Sequence, residues 1–455
     1  MNRSVIEYFR FPEQYGRLAL DGPLSESCGY FRFGDSTLYG RAQGQPAARP
    51  MGLTEKQTVH PRIENGLAYL PFDVTEVSHN LRQEAYANGN GQGMMPAVSA
   101  AYYLVRPFLP VSVRKHLQAI RLRNWERLRF PHWPVDRTVD DLMEQVLLLL
   151  LEAQDVKEIP FIWFWPKGAS SAAVMTHDVE TAAGRDFCPQ LMDMNESFGI
   201  PASFQVVPEE RYEVTEEFLD SIRRRGFEVV VHDLNHDGRL FRDQKEFMKR
   251  AVRINAYGKE FGATGFRAGV LYRNQKWLDA LDFEYDSSVP NVAHLDPQRG
   301  GCCTVMPYFV GKMLELPVTM TQDYTLFNIL TDFSTELWKQ QSSLIMEKHG
   351  LMNVIIHPDY IAGAREREVY KALLAFFAGL RDNKNVWIPT PGEVNRWWRQ
   401  RAKMKIVEEN GDLRIEGDGS ERAVIAYASE QDGHLVYSQT PLDALHCGAG
   451  GTHAG

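Results

Sequence analysis

The stretch Ala172-Ala173-Val174-Met175-Thr176-His177-Asp178-Val179-Glu180 runs from an apolar segment straight into two carboxylates. A second stretch, Phe227-Glu228-Val229-Val230-Val231-His232-Asp233-Leu234-Asn235-His236, runs from an apolar segment into two imidazoles. Short apolar runs of this kind read as buried strands. Two strand ends therefore present a ligand set suited to a divalent metal of borderline softness. An open catalytic site needs three protein ligands. Glu180, His232 and His236 would supply them and leave Asp178 as a base. Residues two apart on an extended strand share a side, so Asp178 and Glu180 can divide these tasks. His232 and His236, four apart, would share a helix face or converge in a strand-to-helix turn.

The surrounding pattern agrees with strand ends as the seat of chemistry. From Phe161 to about Arg401, strand-like runs at 172–175, 203–207, 228–231, 264–266, 314–317 and 354–356 alternate with helical stretches at 186–198, 215–225 and 243–261. Alternating βα units imply a mainly parallel sheet or barrel, with its chemistry at the C-terminal strand ends. Two later runs end in further chemical residues. Gly265-Phe266-Arg267-Ala268-Gly269 places an arginine after a strand, where burial demands a carboxylate partner, and Asp178 is the natural candidate. Val354-Ile355-Ile356-His357-Pro358-Asp359-Tyr360 places a histidine suited to protonate a leaving amine. Asp286 either orients His357 or caps a loop, and Asp323 carries the same ambiguity. His177 reads as structural, and His294 and His349 as surface residues. The adjacent Cys302 and Cys303, the run Trp163-Phe164-Trp165, Trp277 and Trp338 read as packing.

At these residues the chain resembles the NodB-like polysaccharide deacetylases, carbohydrate esterase family 4. Thr176-His177-Asp178-Val179-Glu180 resembles a variant of that family's first motif, with the metal-binding carboxylate two residues past the base. His232 and His236 match its His-x-x-x-His motif, Arg267-Ala268-Gly269 resembles Arg-x-Pro, and Ile356-His357-Pro358 resembles its last motif. Tyr285-Asp286-Ser287-Ser288 is similar to a segment of one branch. The resemblance spans about residues 165 to 400. It departs from the common pattern at Glu180, where aspartate is usual, and at Gly269, where proline is usual. Residues 300–327 resemble an uncharacterised branch. The resemblance implies an α/β fold, a distorted (β/α) barrel of fewer than eight units. It also implies Asp178 as base, Arg267 as its partner, His357 as acid, and Zn²⁺, or Co²⁺, Ni²⁺ or Fe²⁺, as Lewis acid.

Length and composition bound the rest. The chain has 455 residues, 44% of them hydrophobic, enough for more than one domain. The expected division is 1–160 as an N-terminal α+β accessory region, 161–401 as the catalytic domain, and 402–455 as a small β-rich module with a flexible tail. Within the first, a helix over 138–154 is expected, with Thr138 as N-cap. A formal charge of −9 argues against a general nucleic-acid binder. The basic stretch Arg106 to Arg129, with a helix expected from Ser112, is either a solvated helix face or a patch for an anionic glycan or peripheral membrane contact. Five cysteines make no disulfide framework, and the longest apolar run, Val146 to Leu151, is far too short to span a membrane. The start Met1-Asn2-Arg3-Ser4 lacks signal-peptide character, so the expected location is the cytoplasm, at the inner membrane face if the basic patch binds there. The expected reaction is deacetylation of an N- or O-acetylated sugar in a polysaccharide or its precursor. The alternatives are hydrolysis of another amide, or a catalytically silent glycan-binding protein. The oligomeric state is not legible.

Overall fold

The computed structural model describes residues 3–88, 122 and 124–440. The basic stretch up to residue 121, the helix expected from Ser112 and the flexible tail expected at the end of 402–455 lie outside the described residues. The chain divides into two compact units, one of residues 83–136 and 170–395, the other of 1–82, 137–169 and 396–455.

The larger unit is built on one open sheet. In chain order its strands are β1 (Ser171–Val179), β2 (Ala202–Val206), β3 (Glu228–His232), β4 (Gly265–Arg267), β5 (Tyr285–Asp286), β6 (Tyr308–Val310), β7 (Met313–Glu315), β8 (Leu351–Ile356) and β9 (Val386–Trp387). Their spatial order is β6-β7-β5-β4-β3-β2-β1-β8, with β9 also on β1. Every pairing is parallel except β6 with β7. This curled sheet is the distorted barrel that the resemblance implies. Parallel strands are covered on both faces, which is why β1 is buried along its whole length and reads as an unbroken run.

Helices α1 (Ala182–Ser197), α2 (Glu216–Arg224) and α3 (Gln244–Glu260) connect β1 to β4. Each starts on a side chain that accepts from an otherwise unpaired amide: Thr181 from Gly184, Thr215 from Phe218 and Asp243 from Glu246. Helices α4 (Glu336–Met346) and α5 (Ala364–Lys384) flank β8 in sequence. Parallel register then aligns the strand ends. Arg267 lies beside His232, and Asp178 beside Gln205.

The smaller unit joins both ends of the chain. Strand Ile425–Gln431 pairs antiparallel with His434–Ser438 on one side and Glu158–Ile162 on the other. The segments read as a separate extension and module thus share one sheet. Arg401 is fully buried and donates to the carbonyls of Tyr8, Phe9, Ile162 and Trp163. Helix Thr138–Gln154 has the expected span, but its N-cap is Arg137, without a side-chain cap bond. Trp163, Phe164 and Trp165 are core, as expected.

Candidate metal centre and catalytic site

Asp178 sits on β1 one residue before its end, and Glu180 follows the strand. His232 ends β3, and the chain then turns sharply rather than entering a helix. Asp233 and His236 both adopt left-handed backbone, with φ of 57° and 53°. That turn is what brings two histidines four apart together, with ring centroids 4.9 Å from each other. Asp233 N–H donates to Arg267 O at 2.8 Å, tying the turn to β4. Gly269 explains itself here. A Cβ added there would stand 2.9 Å from His236 Cδ2 and closer still to Asp233 Oδ2, so the usual proline has no room.

Glu180, His232 and His236 offer ligand atoms that lie within 4.8 Å of one another. Glu180 Oε1 is 2.9 Å from His236 Nε2 and 3.6 Å from His232 Nε2. Despite that proximity, both Nε2 atoms are buried and lack a properly aligned hydrogen-bond partner. His232 Nδ1 lies 3.2 Å from Arg267 O, so a proton on Nδ1 donates there and leaves the Nε2 lone pair facing Glu180. Buried imidazole nitrogens aimed at one carboxylate without hydrogen bonding are the arrangement a divalent cation would complete. The donor set fits such an ion.

Asp178 lies on the other side of His232, its Oδ2 3.6 Å from Nε2. Its Oδ1 accepts from the Arg267 guanidinium at 2.8 Å, and both side chains are buried. Burial pushes the Asp178 pKa up, but Arg267, His232 and His357 outweigh it and hold the carboxyl below its ordinary value. Arg267 is fixed in turn by Thr176 Oγ1, Ser287 O and Ser287 Oγ. The sequence-predicted pair is therefore formed.

His357 follows β8, and its Nε2 lies 3.4 Å from Glu180 Oε1. Its partner is Asp323, not Asp286. Nδ1 lies 2.6 Å from Asp323 Oδ1, and the His357 amide donates to Oδ2 at 2.7 Å. Burial lowers the His357 pKa, but Asp323 and Glu180 raise it well above the ordinary value. Asp286 instead accepts from Ser288 Oγ at 2.5 Å, and burial raises its pKa as it does that of neighbouring Glu315. Its carboxylate is turned to Ser288 and Glu315 instead of to His357. The sequence signal for Asp323 was weak, since it opens a short helical segment 34 residues before its partner. Tyr360 packs on the His357 ring at 4.8 Å, a neighbour the sequence reading did not single out.

Other residues depart from expectation by burial. His294 is 2% exposed and its Nε2 meets Pro131 O, so it is no surface residue. His349 is half-buried against Ser170 O. His177, Cys302, Cys303 and Trp338 are buried packing, and Trp277 is half-buried against the core.

No protein-family model and no curated protein matches the sequence. Solved deacetylases resemble half of the chain. A Mycobacterium smegmatis protein assigned as a polysaccharide deacetylase aligns with TM-score 0.42 and 20% identity, over 52% of this chain and 93% of its own. PuuE allantoinase aligns with TM-score 0.42 and 14% identity, over 52% and 92%. Peptidoglycan deacetylase PdaC from Bacillus subtilis aligns with TM-score 0.32 and 13% identity, over 50% and 93%. The likeness is one of fold. Among the described residues, no helix is long and apolar enough to cross a membrane.

Proposed function

We propose that the chain is a metal-dependent hydrolase that removes acetyl groups from a sugar in a polysaccharide or its precursor. One observation carries this reading. The Asp178–Arg267 pair and the His357–Asp323 pair both converge on the Glu180, His232 and His236 cluster. Glu180, His232 and His236 would hold the ion, and two nitrogens with one carboxylate favour Zn²⁺. A Zn²⁺ ion there would supply Lewis acidity to water and to the substrate carbonyl.

The chain's own residues account for the proton movements. Arg267 keeps Asp178 ionised and commits one of its oxygens, leaving Oδ2 to accept a proton from the attacking water. Asp323 fixes the His357 ring through Nδ1, so Nε2 is the nitrogen that can donate to the leaving amine. A pKa raised above the ordinary value keeps that imidazole charged and suited to the acid role. Base and acid thus have opposite pKa shifts, the separation that assigns roles to two titrating groups.

Acetate release from a panel of N- and O-acetylated glycans tests the proposal, with chelated and metal-restored samples beside the native protein. Acetate that stops on chelation and returns with Zn²⁺ supports it. Metal uptake without acetate from any glycan would move the reading to another amide or to a silent binding protein.

A further inference from the structure

Strands β5 and β7 end in carboxyls that meet inside the larger unit. Asp286 and Glu315 are register partners across the two parallel strands, and each is 1% exposed. Asp286 Oδ1 accepts from Ser288 Oγ at 2.5 Å. Glu315 Oε1 accepts the Val289 amide at 2.9 Å and the Ser288 amide at 3.2 Å. One oxygen of each group is thereby satisfied. The others, Asp286 Oδ2 and Glu315 Oε2, are buried, and no donor among the described residues reaches either one. The two side chains nevertheless lie within hydrogen-bonding reach of each other.

Ionised carboxylates accept but do not donate, so two that face each other repel and leave both free oxygens unpaired. One proton shared between Oδ2 and Oε2 removes the repulsion and pairs both atoms in a single charge-assisted O–H···O bond. Burial acts in the same direction and pushes both carboxyls up, Glu315 well above the ordinary range. Arg267 pulls Asp286 the other way, toward ionisation. Its guanidinium is already committed, however. Nη1 donates to Asp178 Oδ1 and Thr176 Oγ1, Nη2 to Ser287 Oγ, and Nε to Ser287 O. Two charges on the carboxyl pair would compete with Asp178 for that cation. A shared proton leaves one charge, spread over both groups.

The pair also fixes the segment that fixes Arg267. Ser287, which takes both Nε and Nη2, lies between Asp286 and Ser288, and both neighbours are bound into the pair. Ser288 Oγ accepts in addition from the amide of Ala268, next to Arg267, at 2.8 Å. We propose that Asp286 and Glu315 share one proton, and that this bridged pair is a positioning element for Arg267 and, through it, for the base Asp178. The role in positioning the base rests on the hydrolase reading of the metal centre; the shared proton does not.

Two arms test it, with Asp286→Asn, Glu315→Gln and Asp286→Leu. The first arm needs no turnover. Infrared difference spectra at neutral pH should show a carboxylic-acid C=O band in the native protein that is missing from both amide variants. A native band that either amide variant keeps, or no such band at all, as a bridging water or cation would give, overturns the proposal. The second arm measures acetate release. In each amide variant an N–H replaces the bridging proton, so kcat should stay near the native value. Asp286→Leu removes the bridge, and kcat should fall about ten-fold or more while metal content and KM stay near native. Native kcat in Asp286→Leu, or an amide variant that falls as far as the leucine one, would overturn the positioning role. If the leucine variant does not fold, the amide variants and the infrared band decide. An acid band that behaves as expected in a protein that releases no acetate supports the shared proton and counts against the deacetylase reading alone.

Discussion

At the scale of the residue, the proposed chemistry depends on which atom faces which. Asp178 gives one oxygen to Arg267 and turns the other toward His232. Asp178→Asn should lower kcat by about 10²- to 10⁴-fold while metal content stays near that of the native protein. Metal analysis beside kinetics checks this, and loss of the metal would contradict it. Asp323→Asn should reduce activity by about ten- to a hundred-fold, because the His357 ring loses the acceptor that orients it. Asp286→Asn, whose carboxylate bonds Ser288 and not His357, should leave the kinetics of that acid step unchanged. The proposed ligands Glu180, His232 and His236 were legible because each lies at a strand end or within a few residues of it. Asp323 was not, because it follows no strand and opens a short helical segment between β7 and α4. Sequence spacing says little about where such a residue ends up.

At the scale of the element, burial of β1 sets a pH limit on stability. His177 is fully buried, and its Nε2 lies 2.9 Å from Asn195 Nδ2 on α1, which donates to it. That bond requires neutral imidazole. Burial lowers the His177 pKa to about 3, against an unfolded value of about 6.5. The unfolded chain therefore takes up the proton first as pH falls. Stability from this group is complete above about 6.5 and is lost between about 6.5 and 3, by several kcal/mol at most. Urea unfolding should show this slope in the native protein and a flatter one in His177→Gln. An equal slope in both would refute the assignment. Gly269→Ala belongs to the same scale. A new Cβ against Asp233 and His236 would displace the turn after β3 and weaken metal binding, which a competition titration would read. The strands themselves were readable, since burial on both faces leaves continuous apolar runs. Helix starts were less so, as Arg137 in place of Thr138 illustrates.

At the scale of the whole molecule, the alternating strands and helices of the larger unit were legible in the sequence, whereas the assembly of the smaller unit was not. Strands Glu158–Ile162 and Ile425–Gln431 form one ladder although most of the chain lies between them. No local periodicity reports such a pairing, so the segments read as two separate pieces. Arg401 fastens that unit through four carbonyls, and Arg401→Leu should destabilise it by about 2 kcal/mol or more, read as a lower calorimetric transition. The larger unit carries every residue assigned to chemistry, and the proposed reaction is a metal-assisted hydrolysis with Asp178 as base. The most direct test is acetate release from acetylated glycans by native protein and by Asp178→Asn, each loaded with one equivalent of Zn²⁺. Acetate from the native protein alone, at equal metal content, is the predicted result. Equal release by both, or release that persists after the metal is stripped, would contradict the account.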